Sequence, residues 1–194
     1  RVGWAGLRAG QPVAEWPRPA RPCGRWEAQV TGASSRLGQQ IAQVVVELDN
    51  ARLPFALIGG LALAAHRVVR ATSDVDLLVR AEDAPQFARI VEKLGYRCLH
   101  ESADAANYLR GDERLDVLLA SRAIARGLLE SAQARHTPFG DLRVVSAEGL
   151  IAFKLQALVN DPRRTRDLED IRQLIRANRA TLNLEQVRGY FQLF

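Results

Sequence analysis

The stretch IGGLALAAHRVVRATSDVDLLVR, residues 58–80, constrains what this chain can become more than any other. Gly59 and Gly60 close one apolar run, and Asp74 and Asp76 interrupt a second. Neither choice helps folding: adjacent glycines lose much backbone freedom, and carboxylates break what would otherwise be a comfortable buried strand. Alternate side chains of a strand share a face, so Asp74 and Asp76 point the same way while Val75, Leu77 and Val79 pack opposite. Two neighbouring carboxylates repel one another and lose solvation, and a divalent cation that takes oxygen ligands removes both problems. A third lone acid, Asp116 in RLDVLLA, lies in another apolar strand candidate; if the two strands are neighbours, the three acids converge. For any one acid alone, the alternative is a strand-end aspartate facing solvent.

The glycine pair follows a strand and opens a helix. That arrangement leaves backbone N–H groups free to meet an anion, and glycine lets a phosphate come close. A GG pair alone says little; a short helix upstream of D-x-D it says much more.

Periodicity places these motifs in a larger order. Leu37, Ile41, Val44, Val45 and Leu48 recur at helical spacing, predicting an amphipathic helix that ends before Pro54. FALI (Phe55 to Ile58) reads as a buried strand, LALAAHRV as a helix, and Asp74 to Val79 as a second strand. Asp83 to Leu94 reads as a helix closed by Gly95. Strands are expected at Tyr96 to His100, Asn107 to Arg110 and Arg114 to Ala120, the last two joined by the hairpin turn GDER. Ser121 to Ala132 is expected to be helical and Leu142 to Val145 a short strand. Ser146 caps a helix through Val159; Asp161-Pro162 stops it, and helices over Thr165 to Ala177 and Asn183 to Leu193 close the chain. Strands mixed with helices and then helices alone predict an α+β fold. The expected divisions are 1–34, 35–145 for an α/β core, and 146–194 for a C-terminal helical part packed on it.

Residues 1–34 hold four of the eight prolines and all three tryptophans, with no helical or strand period. They read as a disordered or non-native leader, with Trp and Arg contacting a partner as the alternative. With no methionine anywhere and Arg1 at its start, the chain reads as a fragment or an imperfect gene boundary.

The net charge of +5 comes from arginine far more than lysine. It suits an anionic partner such as nucleic acid or nucleotide, and arginine-rich coding in a high-GC genome gives the same number equally well. Cys23 and Cys98 match no metal or redox spacing, and no run approaches the length of a membrane span, so a cytoplasmic protein without a membrane role is expected. No serine or cysteine shows the partner pattern of a nucleophilic triad. His66 reads as a half-buried helix residue, and His100 and His136 as surface residues.

The pattern of GG, a helix, T-S-D-V-D-L-L-V and a later strand with a single aspartate resembles the polymerase-β type of nucleotidyltransferase. Arg70-Ala-Thr-Ser-Asp74-Val-Asp76-Leu-Leu-Val and the tail I-A-F-K-L-Q-A-L…R-T-R-D-L-E-D-I resemble the small bacterial AbiEii-like nucleotidyltransferases of type IV toxin–antitoxin systems. The resemblance covers roughly Leu37 to Ile175. It implies a mixed sheet flanked by helices and a helical C-terminal part. It also implies two Mg2+ ions on Asp74, Asp76 and Asp116, with Asp116 able to take the proton from an attacking hydroxyl. Gly59 and Gly60 would seat the triphosphate of an NTP.

Further roles rest on that resemblance. Lys154, a charge inside an apolar helix, would bind the triphosphate or form an ion pair with Asp167 or Asp170, which share a face of the next helix. Arg70 and Thr72 would touch phosphate or acceptor, or be a solvated strand flank. The implied acceptor is a hydroxyl on the 3′ end of tRNA or on a protein, in a toxin role with an antitoxin partner. An inactive nucleotide- or partner-binding module of the same fold is the alternative. An aminoglycoside-type small-molecule transferase ranks third, because such a site would want acids beyond the catalytic set.

Overall fold

The computed structural model describes residues 35–137 and 139–194, so the leader expected over 1–34 lies outside the described residues. Ser35 caps the first helix, α1 (Arg36–Asn50), its Oγ accepting from the Gly38 N–H at 3.0 Å. The predicted stripe then buries Ile41, Val44 and Leu48. Strand β1 (Phe55–Leu57) leads into helix α2 (Gly59–Ala65), and β2 (Asp74–Arg80) follows. A 3-10 turn and α3 (Ala84–Lys93) lead to β3 (Arg97–Glu101), β4 (Ala105–Arg110) and β5 (Glu113–Ala120). Next come α4 (Ala123–Glu130), β6 (Gln133–Thr137) and β7 (Gly140–Val144). Helices α5 (Ala147–Asn160), α6 (Thr165–Ala177) and α7 (Leu184–Leu193) end the chain. The α+β class expected from sequence is the one found.

All seven strands form one mixed sheet in the order β3-β4-β5-β2-β1-β7-β6. β2 runs parallel to β5 and antiparallel to β1, and β1 runs parallel to β7. The parallel β2–β5 pair is what brings distant acids together. Its crossover passes through α3 and the β3–β4 strands, long enough for a parallel connection.

The two faces of β2 differ as the alternation requires. Val75, Leu77 and Val79 are fully buried, with Leu115 and Val117 beside them on β5. Helix α3 covers this face: the Phe87 ring meets Tyr108 of β4 at 5.9 Å between centroids. Phe87 is only 1% exposed, so truncating it to alanine would cost about 3–5 kcal/mol. Gly95 ends α3 at φ +89°, where a side chain would be strained, and Tyr96 N–H then bonds the Val91 carbonyl at 3.0 Å.

Several expectations need correction. The helix after the glycines starts at Gly59 itself and ends at Ala65, not at Val68. His66 therefore sits just past the helix end, and it is buried rather than half-buried. Strand β6, polar and exposed over most of its length, carries no apolar alternation and was not foreseen. Among the described residues no helix is long and apolar enough to cross a membrane.

Candidate active site

Asp74 and Asp76 project from the same face of β2, and the in-register pairing with β5 sets Asp76 directly beside Asp116. The structure thus brings together the three acids that the sequence singled out. Among the described residues none of the three is ion-paired, although Arg70 lies close enough to Asp76 to favour its charged form. Burial, then the neighbouring Asp116 carboxylate, push the Asp76 carboxyl up to about 6. Ser73 Oγ donates to Asp74 Oδ1 at 2.8 Å, fixing the first acid. No three acid, histidine or cysteine side chains among the described residues are gathered closely enough to enclose an ion unaided.

The glycine turn is shaped by these acids. Gly59 has φ +63°, and a Cβ there would lie 2.0 Å from Asp76 Oδ2. Only glycine fits, on conformation and on space. Gly60 donates its N–H to the same Oδ2 at 3.4 Å, and a Cβ on it would lie 2.6 Å from Thr72 Oγ1. Thr72 is thereby packed against the turn rather than being a solvated flank.

Lys154 lies in the tail at the α5–α6 contact. Its Nζ donates to Asp167 Oδ1 at 2.8 Å and to Asp170 Oδ2 at 2.6 Å, with the lysine side chain only 10% exposed. Arg164 Nε donates to Asp167 Oδ2 at 2.5 Å. Burial opposes ionisation of Asp167, but the Lys154 and Arg164 hydrogen bonds outweigh it and hold the carboxyl below its usual range. Of the two readings for Lys154, the ion pair is what this geometry displays. Arg70 joins the tail to the acid face: its Nε is 3.4 Å from Asp170 Oδ2 without a hydrogen bond of good geometry.

Sequence reasoning missed Asn107. It stands opposite Asp116 in the β4–β5 hairpin, and its Nδ2 donates to Asp116 Oδ1 at 2.7 Å. A signal existed: the two-residue turn Gly111-Asp112 pairs Arg110 with Glu113, and counting back three places on each strand pairs Asn107 with Asp116. Beyond it, a register shift between Cys98 and His100 sets His100 opposite Asn107, so a polar row runs across four strands from Asp76 to His100.

Comparison with known proteins follows the same residues. Residues 40–116 match the family described as aminoglycoside-2''-adenylyltransferase, a segment that contains Gly59, Gly60, Asp74, Asp76, Asn107 and Asp116. The crystal structure of ANT(2'')-Ia in complex with adenylyl-2''-tobramycin is similar over 80% of this chain and 95% of its own, at 23% identity and TM-score 0.66. The lincosamide antibiotic adenylyltransferase LnuA, lincomycin-bound, covers 70% and 94% at 13% identity and TM-score 0.52. An antigenic nucleotidyltransferase-like protein from Paracoccidioides brasiliensis covers 81% and 87% at 15% identity and TM-score 0.51. No curated protein matches the chain. The matching family is the kind ranked third from sequence, and none of these likenesses supports an AbiEii-like toxin in particular. The chain thus matches an adenylyltransferase family model over its site-bearing segment, and over most of its length it has the fold of such nucleotidyltransferases.

Proposed function

We propose that this protein transfers a nucleoside monophosphate from an NTP to a hydroxyl of a small cationic acceptor of the aminoglycoside type. The observation that carries the reading is that one family match, to aminoglycoside-2''-adenylyltransferase, spans the glycine turn and all three acids. Three of the chain's five surplus positive charges fall in residues 1–34, which weakens the case for a basic RNA-binding surface on the described part.

The residues fit a divalent cation. All donors are carboxylate oxygens, and Asp76 and Asp116 are side by side in the β2–β5 register, a like-charge pair that a cation would relieve. Asp74, Asp76 and Asp116 would hold Mg2+, with two ions expected and substrate phosphates supplying further oxygens. When bound, the cations supply charge stabilisation at the attacking and leaving oxygens of an in-line displacement.

The chain's own groups position and exchange a proton. Gly59 and Gly60 keep the turn free of side chains, so the triphosphate can approach beside Asp76. Thr72 and Arg70 flank that approach. Asp116 takes the proton of the acceptor hydroxyl as its oxygen bonds the α-phosphorus and the bond to pyrophosphate breaks. Residues 35–145 carry this site, and residues 146–194 brace it through Lys154, Asp167 and Asp170.

A second reading keeps a tRNA 3′ end or a protein as acceptor, in an AbiEii-like toxin with an antitoxin partner. The Lys154–Asp167–Asp170 cluster favours it, because that tail pattern is the part that resembles AbiEii-like chains.

The test incubates the purified chain with each α-labelled NTP, Mg2+, and tobramycin, total tRNA or cell protein, beside Asp74→Ala with Asp76→Ala. Label on tobramycin that the double variant loses supports the first reading. Label only on RNA or protein moves the assignment to the second, and no labelled product with any acceptor overturns both.

A further inference from the structure

We propose that Asn107 is a positioning residue for Asp116, an inference that rests on the transferase reading above. Among the described residues, Asp116 is the one site acid whose carboxylate is held by a side chain from another strand, through Asn107 Nδ2 to Oδ1 at 2.7 Å. The two residues are partners in the β4–β5 register, so backbone pairing delivers the carboxamide to the carboxylate without any loop or flexible stem. An asparagine has two rotatable bonds and a neutral donor. It fixes the rotamer of the acid without adding the positive charge that would compete with a cation.

The geometry also divides the two oxygens of Asp116. Oδ1 takes the Asn107 hydrogen bond, which leaves Oδ2 outside that bond and free for metal or for the acceptor proton. Asp116 stands beside Asp76 on the parallel strand, where like charge would otherwise turn the two carboxylates apart. The Asn107 bond opposes that turning. An apolar residue would satisfy strand packing at this half-buried place equally well, so a carboxamide aimed at the acid is the informative choice.

The test compares wild type, Asn107→Leu, Asn107→Asp and Asn107→Gln in the full chain by steady-state kinetics, thermal unfolding and Mn2+ binding by electron paramagnetic resonance. Asn107→Leu removes the donor, Asn107→Asp keeps the shape but cannot donate when ionised, and Asn107→Gln keeps the donor. The expected result is about a 10–100-fold loss in kcat or in Mn2+ affinity for the Leu and Asp variants. The KM for NTP should stay within about twofold, the melting temperature should not fall, and Gln should recover part of the loss. Unchanged kcat and Mn2+ affinity in Asn107→Leu would overturn the proposal while leaving the transferase reading intact. Loss of kcat that tracks a fall in melting temperature would overturn it in favour of a folding role. A wild type that neither binds Mn2+ nor transfers label would overturn both.

Discussion

Asp76 of β2 and Asp116 of β5 are register partners on adjacent parallel strands, although forty residues separate them in the chain. Burial, with the neighbouring Asp116 carboxylate adding to it, holds the Asp76 carboxyl up at about 6, well above the ordinary 3.8. A carboxyl raised in the folded state binds its proton more tightly there than in the unfolded chain. The charged form therefore costs stability at neutral pH, and the protein recovers it as pH falls from about 6 towards 3.8. Asp76→Asn should then raise stability at pH 7, by on the order of 1–3 kcal/mol after allowing for partial solvent screening. The same variant should abolish transfer. Urea unfolding in metal-free buffer between pH 4 and 8 checks this; a variant less stable than wild type at pH 7 would contradict it.

Mg2+ removal should act through the same pair. If cations relieve the Asp76–Asp116 repulsion, adding Mg2+ with a non-hydrolysable NTP analogue should raise the melting temperature of the wild type. The rise should vanish in Asp74→Ala with Asp76→Ala. Equal shifts in both proteins would mean that the ligands bind elsewhere.

Gly59→Ala combines two faults at one position. The backbone is at φ +63°, and the new methyl group would overlap Asp76 Oδ2 at 2.0 Å. The left-handed conformation alone costs about 1 kcal/mol for a residue with a Cβ. The overlap reaches Asp76 Cβ at 2.6 Å, so the turn itself must shift relative to β2 and displace the acid; stability should fall, and activity further still. Circular dichroism with kinetics separates the two effects: a folded, inactive variant is expected.

Much of this arrangement was legible in the sequence because it depends on local rules. Alternation along β2 put Asp74 and Asp76 on one face, and the glycine pair marked the turn that must come close. The two-residue hairpin turn even carried the Asn107–Asp116 pairing, which only needed counting. What was not legible depends on long-range register. Nothing in the residues of β2 and β5 says that Asp76 rather than Asp74 meets Asp116, because parallel pairing is set by the whole sheet. The β6 strand was missed because an exposed edge strand has no buried face to impose a pattern. His66 was misplaced because its burial comes from Val145 and Asn178, which are remote in sequence.

Lys154 separates a structural clamp from a substrate contact. Its ammonium is buried between Asp167 and Asp170, so Lys154→Met leaves two buried carboxylates sharing only Arg164 and Arg70. Breaking a buried pair from one side costs about 3–5 kcal/mol. Adding Asp167→Asn and Asp170→Asn removes the stranded charges and should recover most of that loss. If the triple variant regains stability and the wild-type KM for NTP, the cluster only joins α5 to α6. If it regains stability while KM rises about tenfold or more, Lys154 also meets the triphosphate, the other role expected of it.

His66 gives a pH dependence opposite in sign to that of Asp76. Its ring nitrogen Nε2 lies 2.8 Å from the Val145 carbonyl and donates to it, while its own carbonyl accepts from Asn178 Nδ2 at 3.0 Å. The ring thus ties the end of α2 to the residue after β7, and the backbone carbonyl ties it to the cap of α6. Burial lowers its pKa below 6.5, outweighing the Val145 hydrogen bond that favours the charged ring. The unfolded chain then binds the proton first as pH falls. The stability that neutral His66 contributes is complete above about 6.5 and declines below it, levelling off once pH passes the folded value. Because Asp76 gains stability over part of the same range, the wild-type curve alone cannot display either group. The difference between wild type and His66→Gln can, since glutamine can donate to Val145 but does not titrate. Stability of wild type relative to His66→Gln should fall from pH 7.5 to pH 5. A difference that stays flat or rises over that range would show that His66 is not held neutral.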